Sequence, residues 1–173
     1  MNNDSQIYDF QWEDLGDLES ARPNLGESVS LAVYRLMLFT FKDTLSKEYG
    51  LEQTKNIFVK AGHLAGRQFC RNLLDTRVDL DSFIAALKQK LIEMKIGILR
   101  IEQADRDHLT FSLTVSEDLD CSGLPVLGNT VCDYDEGFIA GIFEEYTGRP
   151  FTAREVDCWA TGDRTCRFEV KAL

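Results

Sequence analysis

The segment EVDCWATGDRTCRFEV, Glu155 to Val170, carries two thiols, Cys158 and Cys166, with seven residues between them and a carboxylate three positions before the first. The intervening ATGDR, Ala160 to Arg164, reads as a turn in which Gly162 takes positive φ. In a hairpin centred there, Cys158 and Cys166 are cross-strand neighbours, with Cβ atoms about 4.5–5.5 Å apart. Two thiolates at that distance can share a metal ion, and the spacing also approaches disulfide geometry. A structural zinc site needs four ligands. Glu155, Asp157, Cys121 and Cys132 are the candidates for the remaining positions. Cys132 opens a helix, where the N-terminal end of the dipole favours thiolate, the form that binds metal. Glu155 and Cys158 are three apart, so a regular strand points them to opposite faces. A shared ion requires a bulge in that strand, or a helix end at its edge.

The elements that must position these groups fall in a clear order. Residues 1–27 read as an acidic arm with isolated aromatics (Tyr8, Phe10, Trp12), with disorder expected for Met1 to Gln6. Residues 28–173 read as a single domain. Ser28 to Tyr49 is an apolar helix whose face is wider than one stripe, which suits either a central core helix or a dimer interface. Glu52 to Leu74 is a second helix, with Gly62 and Gly66 spaced for close approach of another element. His63 lies between them and reads as a hydrogen-bonded histidine rather than a haem ligand. Asp79 to Met94 is a third helix, with Phe83 and Leu87 on its apolar face. Ile96 to Ala104 and His108 to Glu117 alternate as a hairpin, and Leu109, Phe111, Leu113 and Val115 are expected on one face of it. Cys132 to Gly148 is a helix bearing Gly137 and Gly141. Phe151 to Trp159 and Thr165 to Lys171 complete a second hairpin. This order predicts an α+β fold: an antiparallel sheet of two hairpins covered by helices, an α/β sandwich.

The chain has 173 residues, a formal net charge of −10 and five cysteines. The acidic balance argues against nucleic acid and anionic membranes as partners. No basic, apolar leader or long apolar span is present, so a cytoplasmic location is expected. There thiols stay reduced, which favours metal over disulfide.

The last 45 or so residues resemble the 4-vinyl reductase domain family. The matching residues are Cys132 with GFIAGIFEEYTGRP, then the Glu155, Cys158 and Cys166 pattern. The resemblance implies Zn²⁺ held by Cys132, Glu155, Cys158 and Cys166, the arrangement of phenol-sensing relatives. It leaves Cys70 and Cys121 outside the set. It also implies a fold related to transport-particle (TRAPP) subunits and haem-nitric-oxide domains, and a homodimer through the Ser28 to Tyr49 helix. A closed zinc site is structural, so the work is expected in an apolar cavity between sheet and helices, with Phe83, Leu87, Leu109, Phe111 and Leu113 as candidate lining. The expected function is a small-molecule sensor or carrier for a hydrophobic or aromatic ligand that signals through a protein partner. The alternative is a tetrapyrrole-related vinyl reductase or its carrier, and a haem-based gas sensor ranks behind both. The chain has no nucleotide-phosphate fingerprint and no evident acid–base pair, which weighs against catalysis.

Overall fold

The structure is a computed structural model that describes residues 8–18 and 20–173. The expectation for Met1 to Gln6 lies outside the described residues. Helices α1 (Leu31–Tyr49), α2 (Leu51–Leu73) and α3 (Leu80–Glu93) precede strands β1 (Ile98–Asp105) and β2 (Thr110–Ser116). Helix α4 (Asp133–Thr147) and strands β3 (Phe151–Asp157) and β4 (Cys166–Ala172) follow. The four strands form one antiparallel sheet in the order β1-β2-β4-β3, so the two hairpins join through β2 and β4. The α+β architecture is therefore the expected one. Among the described residues, no helix is long and apolar enough to cross a membrane.

Local chemistry sets the helix ends. The Ser30 Oγ accepts from the Val33 amide at the start of α1. Asp79 caps α3 by accepting from the Asp81 and Ser82 amides. Gly50, at φ 81°, ends α1 and starts α2 without an intervening loop, a conformation that a side chain would resist.

Helices α2 and α4 meet through the two pairs of glycines. A Cβ on Gly62 would stand 2.0 Å from the Tyr134 carbonyl oxygen, and one on Gly137 would stand 1.9 Å from that of Val59. Backbone therefore touches backbone, and the small-residue spacing in the sequence has this use. The other side of α4 packs on β3. Phe143 sits between Phe111 and Phe151, with ring centroids 4.8 and 5.6 Å away. Phe83 of α3 stacks on Tyr146 at 3.9 Å. These rings fill the space between helices and sheet.

Helix α1 departs from one of its two expected roles. None of its residues is buried, so it is not a central core helix. It lies on α2 and leaves Leu36, Met37 and Phe41 more than 60% exposed. Polar tethers hold it instead. Tyr34 donates to Asp120 Oδ1 at 2.7 Å, Arg35 Nε to the Leu119 carbonyl at 2.9 Å, and Lys42 to Val131 and Asp133 at 2.9 and 2.6 Å.

Candidate metal centre

Four of the five cysteines converge below the N-terminus of α4. The sulfurs of Cys121, Cys132, Cys158 and Cys166 all lie within 4.8 Å of one another. All four residues are at most 1% exposed. Cys121 and Cys166 are 3.1 Å apart, and Cys132 is 3.9 Å from both Cys158 and Cys166.

Each sulfur arrives by a different route. Cys166 is the first residue of β4 and pairs with Val115 of β2. Cys158 lies just past the end of β3, where Asp157 still pairs with Arg167. The ladder slips between Glu155 and Asp157. That bulge turns both Glu155 and Cys158 inward while Val156 stays exposed, which resolves the three-residue spacing in the way the strand geometry demanded. The Cys158 amide donates to Thr161 Oγ1 in a short 3₁₀ turn, and Gly162 follows at φ 107°. Cys132 sits at the N-cap of α4.

Cys121 comes from the loop after β2. Asp118 Oδ1 accepts from the Asp120 and Cys121 amides at 2.9 and 3.0 Å and so fixes the turn. The loop is then stitched to the Cys158 turn. Leu127 and Gly128 amides donate to the Ala160 carbonyl, and Trp159 Nε1 donates to that of Leu124.

The cluster overlaps the ligand set implied by the family resemblance but differs in its fourth donor. Cys132, Cys158 and Cys166 come together, Cys121 joins them, and Glu155 stands beside them. Glu155 is 5% exposed, and its Oε2 accepts from the Cys132 amide at 3.1 Å. Its Oε1 is buried without a hydrogen-bond partner among the described residues. Burial first, then the adjacent Cys158, raises its pKa to about 8. Sequence reasoning passed over Cys121 because a loop thiol with no paired base carries little signal. The usable hint was Asp118 three residues upstream, a turn former that aims the thiol.

The thiols perturb one another. Contact with Cys121 first, then with Cys132 and Cys166, pulls Cys158 far below the usual thiol range, while contact with the other three pushes Cys132 well above it. One sulfur takes the charge and its neighbours donate to it. Three carboxyl groups crowd the same corner. Burial, then repulsion from Asp118, raises Asp120 to about 6. Burial, then Asp120 and Asp118, holds Asp135 above the ordinary carboxyl range.

The donor set fits a four-coordinate divalent ion. A Zn–S bond of about 2.3 Å puts tetrahedral sulfurs about 3.8 Å apart. Two of the observed separations are 3.9 Å, and the 3.1 Å pair would open slightly.

The proposed ligand lining is split. Leu87 and Leu113 border an enclosed void of about 30 Å³ between sheet and helices. Phe83 and Phe111 are packed core, and Leu109 precedes β2 at φ 51°, half-buried and outside the strand. His63 hydrogen-bonds Glu144 at 3.0 Å on the α2–α4 surface.

The 4-vinyl reductase domain family model matches residues 111–172, the stretch that supplies all four clustered cysteines. These residues carry a 4-vinyl reductase domain. The match bears out the resemblance read from the C-terminal hairpin. Two curated relatives, both uncharacterized proteins of Methanocaldococcus jannaschii, match more of the chain. MJ0150 is 30% identical over 106 residues, 61% of this chain and 60% of that protein. MJ1642 is 26% identical over 150 residues, 86% of this chain and 81% of that protein. The chain thus spans less than two thirds of the first relative.

Solved structures share the fold. A vinyl-4-reductase family protein from the same archaeon aligns with a TM-score of 0.60 at 18% identity, covering 86% of this chain and 85% of that one. The phenol-responsive sensory domain of the transcription activator PoxR, solved with phenol, aligns at 0.61 and 13% identity, over 83% and 75% of the two chains. A trafficking protein particle complex subunit 3 from Naegleria fowleri, covalently bound to palmitic acid, aligns at 0.66 and 11% identity, over 83% and 95%.

Proposed function

We propose that this 4-vinyl-reductase-domain protein is a zinc-stapled small-molecule-binding domain, a sensor or carrier rather than a catalyst. The observation that carries the reading is the convergence of four buried sulfurs from three separate segments. Cys121, Cys132, Cys158 and Cys166 would hold Zn²⁺. An ion with four protein ligands has no open position for water, so its contribution is structural. It fastens the loop after β2, the start of α4 and the last hairpin to one another. Glu155 would brace the site through the Cys132 amide and stand as an alternative oxygen donor.

Ligand binding is supported by the fold shared with the phenol-binding sensory domain of PoxR and by the apolar void of about 30 Å³ between sheet and helices. That void has room for about one water. A larger ligand therefore enters by moving part of its wall. A tetrapyrrole has no such room, and His63 is engaged with Glu144, so no feature of this site favours the tetrapyrrole or haem alternatives.

The exposed face of α1 suits a second copy of the chain. Met37, Phe41 and Leu45 of α1 and Ile57, Phe58 and Ala61 of α2 border an apolar groove of about 340 Å³. Covering it in a homodimer removes apolar surface that a lone subunit leaves in water. Signals would then pass to a protein partner in the cytoplasm.

Elemental analysis with native mass spectrometry tests the whole reading. The expected result is about one zinc per subunit and a dimeric mass. A metal-free protein with its cysteines joined in disulfides would refute the zinc staple.

A further inference from the structure

The void between sheet and helices is not wholly apolar. Leu87, Leu99, Leu113 and Phe138 border it, and so do two carboxyl groups, Asp118 and Asp135. Asp118 is engaged, since its Oδ1 accepts from two backbone amides. Asp135 is different. Its Oδ2 is sealed from solvent and has no hydrogen-bond partner among the described residues. Nearby cations are committed elsewhere: Lys42 to Asp133 and Val131, and Arg35 to the Leu119 carbonyl. Whether or not it carries a proton, that oxygen is an acceptor buried against hydrocarbon.

A buried polar atom with no partner is destabilising relative to the same atom in water, and folded proteins rarely keep one unless a water, ion or ligand completes it. A second metal ion is a poor occupant here. Asp118, Cys132 and Asp135 do come within 4.8 Å of one another, but Cys132 already belongs to the four-thiol cluster. The rest of the lining is apolar and cannot supply the oxygen shell a hard cation needs. A molecule that is apolar over most of its surface and ends in one donor matches both parts of the wall.

We propose that this void is a ligand site anchored by Asp135, and that its ligand carries an amine or hydroxyl donor on a compact apolar body. The inference rests on the small-molecule reading above and narrows its ligand class. Ile96, Asp135 and Phe138 are half-buried, whereas Leu87, Leu99 and Leu113 are fully buried. The ligand enters from the half-buried side, where Ile96 and Phe138 give way to make room.

The test uses the zinc-loaded full chain and three probes of matched shape: isobutylamine, isobutanol and isobutyl chloride. Binding is followed by amide NMR shifts at residues bordering the void. The amine and the alcohol are expected to bind at least about ten-fold more tightly than the chloride, as a hydrogen bond to a charged group implies. Asp135→Leu should erase that difference, and Leu99→Phe, which fills the void, should abolish binding of all three. Zinc content and circular dichroism verify that each variant is folded. If Asp135→Leu does not fold, the ranking on the unmodified chain decides. Equal binding of the three probes would overturn the Asp135 anchor and leave the small-molecule reading standing. No shift at the void with any probe would overturn both.

Discussion

The corner around Cys158 and the helix α1 treat apolar surface in opposite ways. At the corner, Cys121, Cys132, Cys158 and Cys166 are sealed in the interior with Ala160 and Phe168. In α1, no residue is buried, and Leu36, Met37 and Phe41 stand 66, 64 and 62% exposed. The first region is finished within one subunit. The second is unfinished, and its tethers show how the two are linked. Tyr34, Arg35 and Lys42 reach Asp120, Leu119, Val131 and Asp133. Those four residues adjoin Cys121 and Cys132 in sequence. The thiol corner therefore holds the loop ends on which α1 hangs.

The sharpest way to break this contrast is to remove one sulfur. Cys158→Ser should lose the metal and cost about 4 kcal/mol or more where free zinc exceeds its Kd a thousand-fold. At about 2–4 °C per kcal/mol for a chain of this size, the melting temperature should fall by about 8 °C or more. Chelation of the unmodified protein should give a similar loss. An unchanged melting curve would mean that the corner is ordinary core. Next in size is the seam between α2 and α4. Gly137→Ala drives a Cβ toward the Val59 carbonyl oxygen, and overpacking of this kind costs about 1–3 kcal/mol. Denaturant titration reads it directly.

Smaller effects distinguish α1 from the body. Tyr34→Phe removes one hydrogen bond to Asp120 and should cost about 1 kcal/mol. The loss should be visible as faster amide exchange in residues 31–49, with β4 unchanged. Uniformly faster exchange would show that α1 is cooperative with the core. The smallest expected effect on subunit stability is at Phe41. Phe41→Ser should change it by no more than about 0.5 kcal/mol, as for other surface sites, while weakening the dimer in sedimentation experiments. A core-sized loss would place α1 inside the fold after all.

Periodicity and punctuation made much of the fold legible. The apolar spacing of Phe83, Leu87 and Leu91 marked α3, and alternation at Phe111, Leu113 and Val115 marked β2. Gly50 marked the α1–α2 break, and Gly162 the final turn. These are local signals, because a helix or strand writes its period into neighbouring residues. Leu109 shows the limit of that reasoning. It continues the alternation in sequence, yet its backbone turns to positive φ before β2 begins.

By itself, the sequence determined the order of elements, the pairing of the last two strands and three of the four clustered thiols, because each depends on near neighbours along the chain. Tertiary structure alone decided that Cys121 joins them, that Glu155 turns to the Cys132 amide, and that Asp135 faces an apolar void. Those outcomes depend on loops and on a one-residue slip in β3, where spacing does not fix direction. The physical reason is that coordination and burial are properties of positions in space, and loop residues carry no period from which such positions can be read.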